Sequence, residues 1–123
     1  MFQIDYRSKK PIYEQIIEQM KLYVVKGQLS PGDAIPSVRK LAQALGVTPS
    51  TVAKAYQELE RQKVIETIRA KGTFIAGEVS VNLAEEQMEA IRQRMKSEIL
   101  ELKRIGYSKE DVMRITREIY ESI

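Results

Sequence analysis

A chain of 123 residues has room for one ordinary domain, or for one small domain with an appendage, and 43% apolar with 30% charged residues is a globular balance rather than a disordered or membrane-embedded one. It has no cysteine and no histidine, hence no disulfide, no thiolate chemistry, no imidazole ligand and no imidazole base. With no convergent catalytic, metal or cofactor set to name, the chain is expected not to be an enzyme. The formal net charge of +3 is unevenly placed, with 12 Lys/Arg against 7 Asp/Glu in residues 1–77 and 8 against 10 in residues 78–123, so a polyanionic partner is expected for the first part.

Along the chain, Ile12, Ile16, Met20 and Tyr23/Val24 recur at helical spacing behind Pro11, which needs no amide donor in a first helical turn. They predict a first helix from about Pro11 to Lys26, ended by Gly27 and followed by a turn at Pro31-Gly32. A second helix starts near Ser37 and buries Val38, Leu41, Ala42 and Leu45. A third takes Thr48 as its cap and Pro49 as its first residue, and buries Val52, Ala55, Tyr56 and Leu59. Its other side shows Ser50, Thr51 and Lys54. Between these two helices, Ala42 is small enough for a close crossing, Gly46 can take the positive φ of a sharp turn, and Val52 can sit behind the exposed face. From Val64 the period becomes extended: Val64–Ile68 and Thr73–Ala76 read as strands joined by Arg69-Ala70-Lys71-Gly72, a hairpin with a basic tip. Gly77 to Asn82 has no strong period. Beyond it, Met88, Ile91, Met95, Ile99 and Leu102 form a stripe on one long helix, and Val112, Ile115, Ile119 and Ile123 form a second, with Gly106 and Ser108 as stop and cap between them.

The expected fold class is therefore mainly α with a small β-hairpin: a winged helix-turn-helix over residues 1–77, a link at 78–83 and a helical pair at 84–123. Leu29-Ser30-Pro31-Gly32, Ile35-Pro36-Ser37-Val38-Arg39, Leu45-Gly46-Val47, Thr51-Val52 and Lys71-Gly72-Thr73-Phe74-Ile75 follow one another in an order and spacing that resembles the DNA-binding domain of the GntR family of bacterial transcription regulators. The run from Thr48 to Glu60 further resembles the YtrA subfamily, as does a C-terminal part too short for a metabolite-binding or aminotransferase-like domain.

The resemblance implies a homodimeric, sequence-specific regulator, a repressor in the reading favoured here, that binds double-stranded DNA at an inverted repeat. It places the DNA contacts on Ser37 and Arg39 at the start of the second helix, on Thr48, Ser50, Thr51 and Lys54 of the third, and on Arg69, Lys71, Gly72 and Thr73 of the wing. An ion pair with Asp33 is the competing role for Arg39, capping the competing role for Thr48, and a solvated tip the competing role for the wing. Tyr56 falls on an aromatic position of the family and is read as packing beneath the wing. Pro49 and Ala53 stand where many relatives carry arginine, and Lys63 and Ala70 where a glycine is usual, which puts a tight wing tip with positive φ at residue 70 in doubt.

The C-terminal stripe residues Met88, Ile91, Met95, Ile99, Leu102, Val112, Ile115 and Ile119 are read as a dimerisation surface, since so short a helical pair buries too little by itself; folding back onto the winged domain is the other way to cover them. The longest apolar run, Leu22–Val25, is far below the roughly 20 residues of a membrane helix, and the opening residues lack the pattern of a secretory signal, so a cytoplasmic protein without membrane contact is expected. The alternative function is a winged-helix protein-interaction module without sequence-specific DNA binding. No residue names a small-molecule effector.

Overall fold

The computed structural model describes residues 2–77 and 81–123, with side chains from residue 84 onward in the second stretch. Its elements in chain order are α1 (Ile12–Val25), β1 (Ala34–Ile35), α2 (Val38–Leu45), α3 (Pro49–Arg61), β2 (Ile65–Ile68), β3 (Gly72–Ile75), α4 (Val81–Arg104) and α5 (Lys109–Ser122). They fall into two compact units, Met1–Glu78 and Val79–Ile123.

In the first unit, apolar residues one helical turn apart face a shared interior. Ile16 and Met20 of α1, Leu41 and Ala42 of α2, and Val52, Ala55, Tyr56 and Leu59 of α3 are buried together with Leu29, Ile35, Ile65 and Ile75. Helix α3 packs against α1, α2 and β2, so it is the element the others share. The three strands form an antiparallel sheet in the order β1-β3-β2. Ile65 faces Ile75 in the β2–β3 ladder, and Ala34 and Ile35 pair with Phe74 and Thr73 on the other side of β3. Strand β1 is absent from the sequence reading because two residues are too few to show a period of two.

Three boundaries differ from expectation. Pro11 stands just before α1 rather than inside its first turn. The side chain of Thr48 precedes α3 but bonds to no backbone amide there. Helix α4 begins at Val81, so the second half of the expected 78–83 link is helical, while residues 78–80 lie outside the described residues.

Gly46 takes φ 69° after α2, and Val47 N–H donates back to the Ala42 carbonyl at 3.1 Å, which closes the helix end and turns the chain sharply into α3. The end of α3 has the same hydrogen-bond pattern, with Val64 N–H on the Leu59 carbonyl at 2.9 Å, but the residue in the left-handed region is Lys63, at φ 62°. Ala70 at the hairpin tip has φ 66°. Both positions keep the tight geometry that glycine would allow, and both hold a Cβ against its steric preference. The expected outcome is that Lys63→Gly raises stability by about 0.5–1 kcal/mol, since relief of left-handed strain outweighs the added freedom of the unfolded chain, whereas Gly46→Ala lowers it by about 1 kcal/mol. Urea midpoints at unchanged slope read both.

Candidate nucleic-acid interface

The start of α2 is built by Ser37, whose hydroxyl accepts from Lys40 N–H at 3.2 Å and closes the first turn. Arg39 follows, exposed and making no ion pair among the described residues. Asp33, the acid weighed as its partner, instead accepts from Ser30 N–H at 2.8 Å and shapes the turn before β1. At the start of α3, the Thr48 hydroxyl lies 3.0 Å from both Ser50 Oγ and Thr51 Oγ1. These three hydroxyls form one polar cluster rather than a set of independent caps. Lys54, one turn further along, is exposed, and its ammonium lies 3.9 Å from the centroid of the Tyr13 ring on α1. The ring quadrupole attracts the cation and so holds it in place. On the wing, Arg69 and Lys71 are exposed at the tip, Gly72 carries no side chain to hinder approach, and Thr73 is half-buried between Ile35 and Thr67. Glu60 Oε1 accepts from Thr67 N–H at 3.2 Å, which ties β2 to the far end of α3.

The link between these groups is Tyr56. Its ring is buried in the core, and its hydroxyl donates to the Pro36 carbonyl at 2.7 Å, one residue before the cap of α2. The start of α2, and with it Arg39, is thereby fixed on α3. Burial pushes the Tyr56 hydroxyl up to about 12.

The second unit has a different surface. Ser108 and Asp111 cap α5 reciprocally, the Ser108 hydroxyl accepting from Asp111 N–H at 3.1 Å and the Asp111 carboxylate from Ser108 N–H at 2.9 Å. These hydrogen bonds hold the Asp111 carboxyl below its ordinary range. Helices α4 and α5 do not close on each other as α1 and α2 close on α3; their apolar sides line an open groove of about 420 Å³. Ile91, Met95, Ile99, Leu102, Val112, Ile115 and Ile119 all face it, with Arg94 and Glu98 at its rim. Met88 lies on α4 outside that lining and is 48% exposed, and Ile91, Met95 and Ile119 are likewise largely open to solvent. Among the described residues, no helix is long and apolar enough to cross a membrane.

Residues 12–75 match the model of the bacterial regulatory proteins of the gntR family. The chain belongs to the GntR family. It is a winged helix-turn-helix transcription regulator rather than an enzyme. Over the family domain and past it, the chain is 45% identical across 119 residues to the HTH-type transcriptional repressor YtrA of Bacillus subtilis (strain 168), covering 97% of this chain and 92% of that protein. A crystal structure of a transcriptional antiterminator from Listeria monocytogenes EGD-e superposes with a TM-score of 0.88 at 43% identity, covering 98% of this chain and 90% of that one. The AraR DNA-binding domain in complex with operator ORE1 is similar with a TM-score of 0.52 and 28% identity, over 62% of this chain and 93% of that domain. The likeness to the YtrA repressor and to the Listeria structure thus extends past the family domain through the C-terminal helices.

What the sequence reading left out is the segment before the family domain. Gln15 is a buried polar residue whose amide bonds to the backbone of Asp5 and Lys10, a role that no spacing rule announces. The contribution of Tyr56 is testable through pH. Its phenol is held neutral in the fold, so the unfolded chain ionises first, near 10, and stability falls as pH rises from about 10 to about 12. Tyr56→Phe is expected to flatten that fall relative to the parent and to cost about 1 kcal/mol at neutral pH, both read from denaturant unfolding across the pH series.

Proposed function

We propose that this GntR-family protein is a cytoplasmic, homodimeric repressor that binds an inverted-repeat operator. The observation that carries the reading is the coincidence of the family domain with exposed cations at the start of α2 and on the wing tip, Arg39, Arg69 and Lys71, that make no ion pair among the described residues. The similar AraR domain was solved on operator DNA, and the YtrA relative is named a repressor, which supports both the ligand and the sign of regulation.

In this reading α3 enters the major groove with its hydroxyl cluster, Thr48, Ser50 and Thr51, at the leading end. Ser37 and Arg39 approach from the start of α2, where Arg39 contributes base or phosphate recognition. Lys54 adds a positioned positive charge. Arg69, Lys71, Gly72 and Thr73 bring the wing against a narrow, electronegative minor groove. Pro49 and Ala53 offer no hydrogen-bonding head group, so sequence choice rests on Arg39, Ser50 and the wing. The C-terminal stripe residues cover one another in a second copy of the chain, and the opposite charges of Arg94 and Glu98 at the rim suit an antiparallel two-fold arrangement. A two-fold protein then requires a two-fold operator.

With about 6 phosphates neutralised per dimer, the log–log salt dependence of duplex binding is expected to have a slope on the order of −5; a flat response would return the winged helix to a protein-interaction role. Arg39→Ala should cost roughly 1–3 kcal/mol on an operator selected by the parent and less on random DNA, whereas Lys71→Ala should weaken both and make the slope shallower by about 1. Equal losses on both DNAs for Arg39→Ala would remove its specificity role.

The dimer has its own test in Ile99→Glu, which places a carboxylate in the middle of the stripe. Association should weaken by several kcal/mol while the winged unit keeps its core. Sedimentation of parent and variant decides it: a monomeric parent at micromolar concentration, or a variant that stays dimeric, assigns dimerisation elsewhere.

A further inference from the structure

Residues 2–10 precede the family domain and are organised by α1 in a specific way. Phe2 stacks edge-on against Tyr23, with ring centroids 5.7 Å apart. The Gln19 side chain bonds both backbone groups of Gln3, accepting from its N–H at 2.9 Å and donating to its carbonyl at 2.5 Å. One helical turn earlier, Gln15 does the same for Asp5, at 2.9 and 3.0 Å, and also donates to the Lys10 carbonyl at 2.9 Å. Two residues of extended chain match one turn of helix in length, which is why the two glutamines engage alternate residues.

The Gln15 amide therefore clamps both ends of the loop Asp5–Lys10. Inside it, the Asp5 carboxylate accepts from Arg7 N–H at 3.0 Å and the Ser8 hydroxyl from Lys10 N–H at 3.1 Å, so the loop has a defined shape while facing solvent. Its cations differ in state. Lys10 is paired with Glu18 at 2.8 Å, whereas Arg7 and Lys9 are exposed and make no ion pair among the described residues.

One contact ties this loop to the end of α2, and a second ties the start of α1, just after the loop, to α3. The Tyr6 hydroxyl donates to the carbonyl of Leu45, the last residue of α2, immediately before the turn into α3. Tyr13, at the beginning of α1, carries the Lys54 ammonium of α3 on its ring. Arg7 and Lys9 lie in sequence between those two anchors, one at the turn into α3 and the other on the Lys54 side of α3.

We propose that the Asp5–Lys10 loop is a further DNA-contacting element, with Arg7 and Lys9 engaging backbone phosphates beside the stretch of groove that α3 enters. The inference rests on the DNA-binding reading of the winged helix. A buried amide holding an exposed, cation-bearing loop in one conformation lowers the ordering cost of binding a polyanion. Phosphates carry no base identity, so the loop adds affinity and register rather than sequence choice.

The test uses the full chain, a mixed-sequence 30-base-pair duplex and an operator selected from a random library by the parent. Arg7→Gln/Lys9→Gln is compared with Lys26→Gln, which removes an exposed lysine just beyond the opposite end of α1. The double variant should bind both DNAs roughly 5- to 20-fold more weakly at about 100 mM salt, with the slope shallower by about 1 for each phosphate no longer neutralised and an unchanged thermal midpoint. Lys26→Gln should change affinity by less than about 2-fold. If the parent binds DNA and the double variant matches it in affinity and slope, or loses no more than Lys26→Gln does, the loop is not a DNA contact. If the parent binds neither duplex, the DNA-binding reading itself fails.

Discussion

Helix α3 has to be buried and exposed at once, and the first unit is arranged around that requirement. Val52, Ala55, Tyr56 and Leu59 give it an apolar side that α1, α2 and β2 cover, and the remaining side is left to present Ser50, Thr51 and Lys54. A helix of 13 residues is marginal by itself in water, so its orientation is set by what it packs against rather than by its own propensity. Full burial of Val52 and Leu59 contributes roughly 1.5–3 kcal/mol each, enough to make the seam resistant to rotation. A rotation about the helix axis would expose those side chains and withdraw the hydroxyl cluster from the surface together, so stability and the presentation of those hydroxyls share one coordinate.

Polar groups then refine what the apolar seam orients. Tyr56 reaches across the core to Pro36, Glu60 reaches Thr67, and Gln15 reaches Asp5 and Lys10. In each case a side chain from a helix satisfies a backbone group of a non-helical segment, which would otherwise rely on water for its shape. The three segments so held are the entry to α2, the wing and the N-terminal loop, and each carries exposed cations that no acid among the described residues pairs with: Arg39 in the first, Arg69 and Lys71 in the second, Arg7 and Lys9 in the third. Fixed cations make a better polyanion surface than mobile ones, because less rotamer and loop freedom is lost on binding.

The parts legible in the sequence are those with a repeating period. Helical spacing locates all five helices, with the start of α4 the least well placed because Val81 falls inside the expected link, and the change to an extended period locates β2 and β3. Gly46 and the Ser108 cap are readable because their chemistry is local. The two-residue β1 is not, since it exists through pairing with Thr73 and Phe74, far away in sequence. Nor is the left-handed conformation of Lys63 and Ala70: residue type argues against it, and the helix-end hydrogen bonds and the hairpin register override that preference. The position of Thr48 at the helix start is readable, but its hydroxyl partners depend on side-chain rotamers that no spacing encodes. The amide network of Gln15 and Gln19 escapes for a related reason, because glutamine on a helix usually signals a solvated face.

The C-terminal unit poses the converse problem, a legible pattern without a closed core. Stripes at helical spacing announce α4 and α5, yet the two helices leave their apolar sides lining an open groove, with Met95 still 48% exposed. Apolar surface of that extent is costly to leave in water, and the reciprocal Ser108–Asp111 cap satisfies the first turn of α5 without covering any of it. In the proposed dimer the same surface does two things. Covering it supplies the association energy, and linking two winged units converts the second half-site contact into an intramolecular step. Under the proposed reading that linkage matters more than it would with strong base contacts, because Pro49 and Ala53 offer each half-site no hydrogen-bonding head group. In that reading operator occupancy depends on the stripe almost as directly as on α3.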